Sequence, residues 1–274
     1  MSQTAVRPNR AGALPTPVLF GAVGVVIAAV TLELVPRLGV VSAIYLPPTS
    51  TIARALVEQV QRPEFWLALR DTLVTWGIGL AIAVVAGIVA GVVIGTVPGL
   101  RAATASTIEF LRPIPSVALI PLAVLLYGSG IRATLMLVIY ASFWQMLVQV
   151  LHGIVDVDPV ARDTARSYRL SAAAQIRYLI WPTALHYVVT GIRLAASVAL
   201  ILTITGELII GTPGLGRQIA VSMESNSVPP MYALVVVTGL LGLVANQLFR
   251  AIERQVLAWH PSQRRELSEA VSGL

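Results

Sequence analysis

The chain has 274 residues, 56% of them hydrophobic and only 12% charged, where an average soluble domain carries roughly 25% charged residues. A soluble fold of this length has too little interior for so much apolar surface, so the composition specifies an integral membrane protein. No cysteine is present, which excludes disulfides, thiolate metal sites and cysteine nucleophiles, and the net charge of +6 comes without the basic run or aromatic platform that nucleic-acid binding needs.

Residues 1–16 read as a short basic tail. The apolar run after them shows no small-residue cleavage site, so it is expected to stay as a first span over about 17–36, with Glu33 near its far end. Next comes LPPTSTIARALVEQV (46–60), in which a Pro-Pro turn precedes a helix-start signal at Thr49 to Thr51. Ile52, Ala55, Leu56 and Val60 recur at helical spacing, which predicts an amphipathic helix lying on the outer membrane face. A second span falls within the charge-free run 72–100. Its Gly87, Gly91 and Gly95 recur every four residues, a spacing that permits close helix approach, within one subunit or between two.

A third span is expected over about 104–127, with Glu109 and Arg112 in its first half and three prolines, Pro113, Pro115 and Pro121, after them. Each proline removes a backbone donor, and such breaks survive in a bilayer only where protein or a watery cavity satisfies the freed groups. A bent, pathway-lining helix is the consequence. Glu109 and Arg112 are three apart on one face, placed either to pair with each other or to meet substrate. Spans four, five and six follow at about 132–153, 183–206 (interrupted by Arg193) and 230–250.

Between spans four and five lies DTARSYRLSAAAQIRYLIWP (163–182), basic, alanine-rich and without a helix breaker before Pro182. Pro159 suits a first helical turn ahead of it, and Pro182 is expected to close the insert and open span five. Six spans place both termini on one side. With the termini inside, the inner regions hold eleven arginines and the outer regions six, which orients the N-terminus and the insert toward the cytoplasm. The whole is expected to be one all-α membrane domain: a tail over 1–16, a core over 17–254 and a second cytoplasmic tail over 255–274.

The insert is similar to the cytoplasmic loop of ABC importer permeases, in which Glu-Ala-Ala, three residues, Gly, nine residues and Ile-x-Leu-Pro recur. Here Asp163, Thr164, Ala165, then Arg169, then Leu179, Ile180, Trp181 and Pro182 hold that spacing, with Asp for Glu, Thr for Ala, Arg for Gly and Trp for Leu. Two further segments resemble the subfamily that handles nitrate, sulfonates and taurine. They are EFLRPIPSVALIPLAVLLYGSG (109–130) and TGELIIGTPGLGRQI (205–219), the latter with Glu207, Gly214 and Gly216.

The resemblance implies a permease subunit with no catalytic residue, metal or cofactor of its own, ATP and Mg being held by two partner ATPase subunits. It implies a coupling helix carrying Asp163, Thr164, Ala165, Arg166, Arg169, Leu170 and Pro182. A pathway and gate would involve Glu109, Arg112, Pro113, Pro115, Pro121, Glu207, Gly214 and Gly216. A second permease, identical or different, and an extracytoplasmic substrate-binding protein complete the expected assembly in a bacterial inner membrane. Arg169 stands where the family pattern has glycine, so either the insert bends there with some strain or it forms one longer helix. The alternative of an ion-coupled secondary transporter finds no inverted repeat and few mid-span acids. His152, His186 and His260 are scattered, without metal-ligand spacing, and His186 reads as a packed histidine.

Overall fold

The computed structural model describes residues 16–257. The expected tails therefore lie almost wholly outside the described residues, as do Arg7, Arg10, His260, Arg264 and Arg265. Among the described residues the fold is helical, in the order α1 (Thr16–Arg37), α2 (Thr49–Val60), α3 (Pro63–Thr96), α4 (Pro98–Leu111), a short 3-10 turn (Ser116–Leu119), α5 (Ile120–Tyr127), α6 (Ile131–Val155), α7 (Pro159–Ser167), α8 (Ala172–Gln175), a π turn (Ile176–Ile180), α9 (Trp181–Ile210), α10 (Leu215–Glu224) and α11 (Val228–Val256). Four described helices are long and apolar enough to cross a membrane: α3, α6, the run Ala172–Ile210, and α11. The pair α4 and 3-10–α5 makes a fifth if it is one span bent by 83°. The first expected span coincides with α1, which is outside that count.

The core is built around α6, clasped by α3 and α9. Gly79, Gly87, Gly91 and Gly95 of α3 face Val138, Met146, Val150 and Ile154 of α6 at one constant offset in sequence, the mark of two parallel helices in register. A Cβ at Gly87 or Gly91 would sit 2.6 Å from its partner side chain. The small-residue stripe therefore serves packing within the chain. In lipid no hydrophobic force drives helices together, so contact area from close approach takes its place. The same logic explains why Ala83, Ala123, Ala133, Ala195 and Ala199 are fully buried, while Phe110, Leu125 and Ile201 point outward.

Several polar contacts fix the bundle. Trp76 Nε1 donates to the Ala196 carbonyl at 2.9 Å, tying α3 to α9. Arg193 is paired with Glu253 of α11 at 3.2 Å, both largely withdrawn from the surface, so the charge that interrupts the fifth span has a partner seated one helix away. Near the first turn of α2, Glu33 accepts hydrogen bonds from the Ser50 amide and hydroxyl, both at 2.9 Å. Helix α2 forms as expected but lies against α11, with Ile52, Ala55 and Leu56 turned inward, while Val60 is exposed and Gln59 takes its place on the covered face.

Two expected boundaries move. Helix α3 starts at Pro63, well before the charge-free run, because Pro63 at its first position and the exposed Arg70–Asp71 pair carry the helix out beyond the apolar stretch. Pro182 opens α9 in its first turn as expected, but it does not interrupt the helix that precedes it. Helix α8, the π turn and α9 run on as one 39-residue helix, with Pro182 inside it. Proline offers no N–H to the carbonyl four residues back, and the wider π turn just before it absorbs that mismatch.

Candidate functional site

Helix α7 begins at an N-cap where Asp158 accepts from the Val160 amide at 2.7 Å, with Pro159 in the first turn. It ends in a two-bond reversal: the Leu170 amide donates to the Ala165 carbonyl at 3.0 Å and the Arg169 amide to the Arg166 carbonyl at 2.9 Å. That pairing requires a left-handed residue at the reversal, and Arg169 supplies it at φ +52°. The insert thus bends where the family pattern has glycine; it is not one longer helix. Holding a side-chain-bearing residue there costs about 1–2 kcal/mol. Gln175 Nε2 reaches back to the Leu170 carbonyl at 2.9 Å, and Ser171 caps the next helix by accepting from Ala174 at 3.3 Å.

The outward surface of α7 carries Asp163 (74% exposed), with Val160 (72%) and Tyr168 (79%) flanking it at the two ends. Thr164, Arg166, Arg169 and Leu170 are also exposed. Ala165 is 6% exposed and faces the body of the chain. It therefore sets how closely α7 seats and is not itself a contact surface. Pro182 belongs to α9. Val160 and Tyr168 were missed in the sequence, where their signal was two bulky apolar residues bracketing a polar segment.

The bent pair supplies the second part. Pro115 stands four residues after Leu111 and cannot donate to its carbonyl; that carbonyl accepts from the Ile114 amide at 3.2 Å and from the Tyr140 hydroxyl of α6 at 2.7 Å. The break at Pro113 and Pro115 is thus held by a neighbouring helix. Glu109, Arg112, Pro113, Pro115 and Pro121 are all exposed, and α4 buries none of its residues. Glu109 and Arg112 do not pair: among the described residues no ion pair joins them.

At the other end of α9, Glu207 is fully buried. Its Oε2 accepts from Thr72 Oγ1 and from the Gly216 amide, both at 2.9 Å, while Thr72 Oγ1 accepts from the Leu215 amide at 2.9 Å. One carboxylate and one hydroxyl thus satisfy the first amides of α10 and join it to α3 and α9. Gly214 has φ +153°, and a Cβ there would lie 2.1 Å from the Glu207 carboxyl carbon. At Gly216 it would meet the Ile204 carbonyl at 2.4 Å. The spacing of Glu207, Gly214 and Gly216 is therefore that of a bracket; Thr72, far away in sequence, was the member no local pattern announced.

These three parts, an exposed capped helix, a bent helix pair and an anchored turn, fall on a stretch that a family model matches. The model is described as the binding-protein-dependent transport system inner membrane component, and it covers residues 83–258. The chain belongs to this family. Every candidate residue of the coupling segment and pathway lies inside the match, and only Thr72 of the bracket lies outside. The permease is 28% identical over 231 residues to the taurine transport system permease protein TauC of Escherichia coli (strain K12), covering 82% of this chain and 84% of that one. It is 26% identical over 238 residues to a putative aliphatic sulfonates transport permease protein SsuC of Bacillus subtilis (strain 168), covering 84% and 83%.

A bicarbonate transport system permease protein CmpB of Synechococcus elongatus is 25% identical over 194 residues, 70% of this chain and 69% of that one. Among solved structures, a bacterial ABC transporter involved in import of the acidic polysaccharide alginate aligns with a TM-score of 0.63 at 14% identity, over 87% of this chain and 96% of that one. The inward-facing MetNI methionine ABC transporter aligns at 0.61 and 19%, over 72% and 99%. At such identities these two speak for the fold alone. The permease is thus a multi-pass inner-membrane component of a binding-protein-dependent importer.

Proposed function

We propose that the permease forms one half of the pathway of an ATP-driven importer for a small oxyanion, of the sulfonate or carboxylate-like kind named for its taurine, aliphatic sulfonate and bicarbonate relatives. The observation that carries the mechanism is mechanical. Helix α7 is joined by one tight reversal to an unbroken helix, Ala172–Ile210, which ends at the Glu207 bracket. At 1.5 Å per residue that helix spans on the order of 55–60 Å, enough to cross the bilayer with a turn to spare at each end. A displacement of α7 therefore moves the far turn with it.

In this reading two ATPase subunits, binding ATP and Mg, close on each other and push α7, whose Val160, Asp163 and Tyr168 form the contact. The bent α4–α5 pair, with Glu109 and Arg112 free of each other, lines the route. A second permease, the same chain or another, supplies the other wall, and a substrate-loaded binding protein docks on the outside above α10. Both termini lie in the cytoplasm. The chain itself performs no catalysis and holds no cofactor. An ion-coupled carrier would work without ATP, so dependence of uptake on ATP separates the two readings. Coupling demands that ATPase contact differ in energy between two states, not merely exist.

The test is reconstitution. The permease, co-expressed with its ATPase and binding protein, is placed in liposomes, and uptake of labelled taurine, an alkyl sulfonate and bicarbonate is followed. Uptake requiring both ATP on the α7 side and the loaded binding protein is the expected result. Uptake driven by a proton or sodium gradient without ATP would overturn it.

A further inference from the structure

A cavity of about 670 Å³ opens beside α7, walled by the α3–α4 junction on one side and by α7 and the start of the long helix on the other. Three arginines line it, Arg101 from the first turn of α4 and Arg162 and Arg166 from one face of α7, and no acidic residue does. Arg162 is fixed by donating from Nη2 to the Ile154 carbonyl at 3.0 Å. Arg166 is shared with the exposed Asp163 at 3.3 Å. The Arg101 side chain has neither an ion pair nor a hydrogen bond among the described residues. Three guanidinium groups around one space repel one another unless an anion sits among them, and their forked donors fit phosphate oxygens in particular.

The remaining wall is apolar, with Ile154, Ile176 and Ile180. Exposed Tyr178 and Trp181 stand on the same stretch of helix, and Arg177 lies over the Tyr178 ring at 5.8 Å. Aromatic and basic side chains gathered at the end of apolar spans mark the headgroup layer of a bilayer. We propose that this cavity binds the phosphate headgroup of an anionic phospholipid from the cytoplasmic leaflet, its acyl chains lying along the isoleucine wall. Basic pockets between spans on the cytoplasmic side suit such headgroups. A lipid is favoured over free phosphate because the cavity is half apolar and adjoins the ends of two apolar helices, α3 and Ala172–Ile210. Bound there, the headgroup bridges α4 to α7, so lipid composition tunes how the docking helix seats. The inference rests on the cytoplasmic placement of α7.

The experiment uses the full chain with its ATPase subunits, purified in detergent and titrated with phosphatidylglycerol or phosphatidylcholine under native mass spectrometry. Phosphatidylglycerol is expected to be retained preferentially. Arg101→Gln, a change at an exposed position, is expected to weaken that retention about fivefold, since each arginine near an anionic headgroup contributes about that factor. Arg101→Lys is expected to restore most of it, which separates charge from misfolding. Equal retention by the parent and Arg101→Gln overturns the proposal. Displacement of the lipid by millimolar inorganic phosphate overturns it too, assigning the site to a free anion, as does an ATPase carboxylate found against Arg101 in the assembled transporter. Retention is read without ATP turnover. A chain that keeps its lipid but recruits no ATPase therefore counts against the transport reading and leaves this one standing.

Discussion

At the scale of single residues, two backbone positions of positive φ have opposite consequences. Arg169 holds φ +52° with nothing but its own reversal to require it. Replacing it with glycine removes the left-handed penalty, partly offset by the greater freedom of glycine in the unfolded chain, and should stabilise the permease by about 1 kcal/mol. A rise in thermal midpoint for Arg169→Gly checks this; an unchanged or lower midpoint means that the guanidinium makes a compensating contact. Gly214 is the reverse case. At φ +153°, with a carboxyl carbon 2.1 Å from where a Cβ would go, Gly214→Ala must push Glu207 off its two donors. Overpacking of about 1–3 kcal/mol is compounded by the Gly216 amide and the Thr72 hydroxyl left without their acceptor, so a loss of about 3 kcal/mol or more is expected. Thermal unfolding of the detergent-purified variant measures it.

At the scale of elements, α7 and the α3–α6 seam make separable predictions. Asp163→Arg reverses the charge at the centre of the exposed face while leaving the cap at Asp158 and the reversal at Arg169 intact. Membrane insertion and folded yield should be normal, while substrate-stimulated ATP hydrolysis in proteoliposomes falls at least about tenfold, the loss of one charged interfacial pair. Wild-type stimulation would remove Asp163 from the contact. In the seam, Gly91→Val places two methyl groups where Val150 already stands at 2.6 Å. The helices must part, and because dispersion contact is what holds them in lipid, the effect should appear as loss of folded protein in size-exclusion chromatography and not merely as slow transport.

For the whole molecule, the absence of cysteine makes single introduced thiols clean reporters of topology. Tyr168→Cys, at a 79% exposed position at the end of α7, should react with a membrane-impermeant maleimide only from the cytoplasmic side. In the assembled transporter it should be shielded by the ATPase. Labelling from outside would invert the orientation and with it the place of the ATPase. The 39-residue helix makes the two faces of the permease one lever: a change at the Glu207 bracket is expected to alter ATPase stimulation although it lies the full bilayer thickness from α7.

Much of this was written in the chain itself. Apolar content fixed a membrane protein. The intervals between Asp163, Arg169 and Pro182 and the Gly-Leu-Gly run marked the segments that matter, and glycines every four residues announced a close helix seam, because these are local or periodic constraints on one backbone. What the sequence left open depended on contacts between residues far apart. It did not say that Arg169 bends, that Pro182 is absorbed by a π turn, that Glu109 and Arg112 stay apart, or that Glu253 answers Arg193. Nor did it reveal that Thr72 completes the bracket around Glu207 or that Arg101 faces the arginines of α7. Backbone periodicity states which face of a helix is small or polar. Only packing in three dimensions decides which distant face meets it, since buried charges and freed carbonyls take their partners from whichever helix the bundle brings alongside.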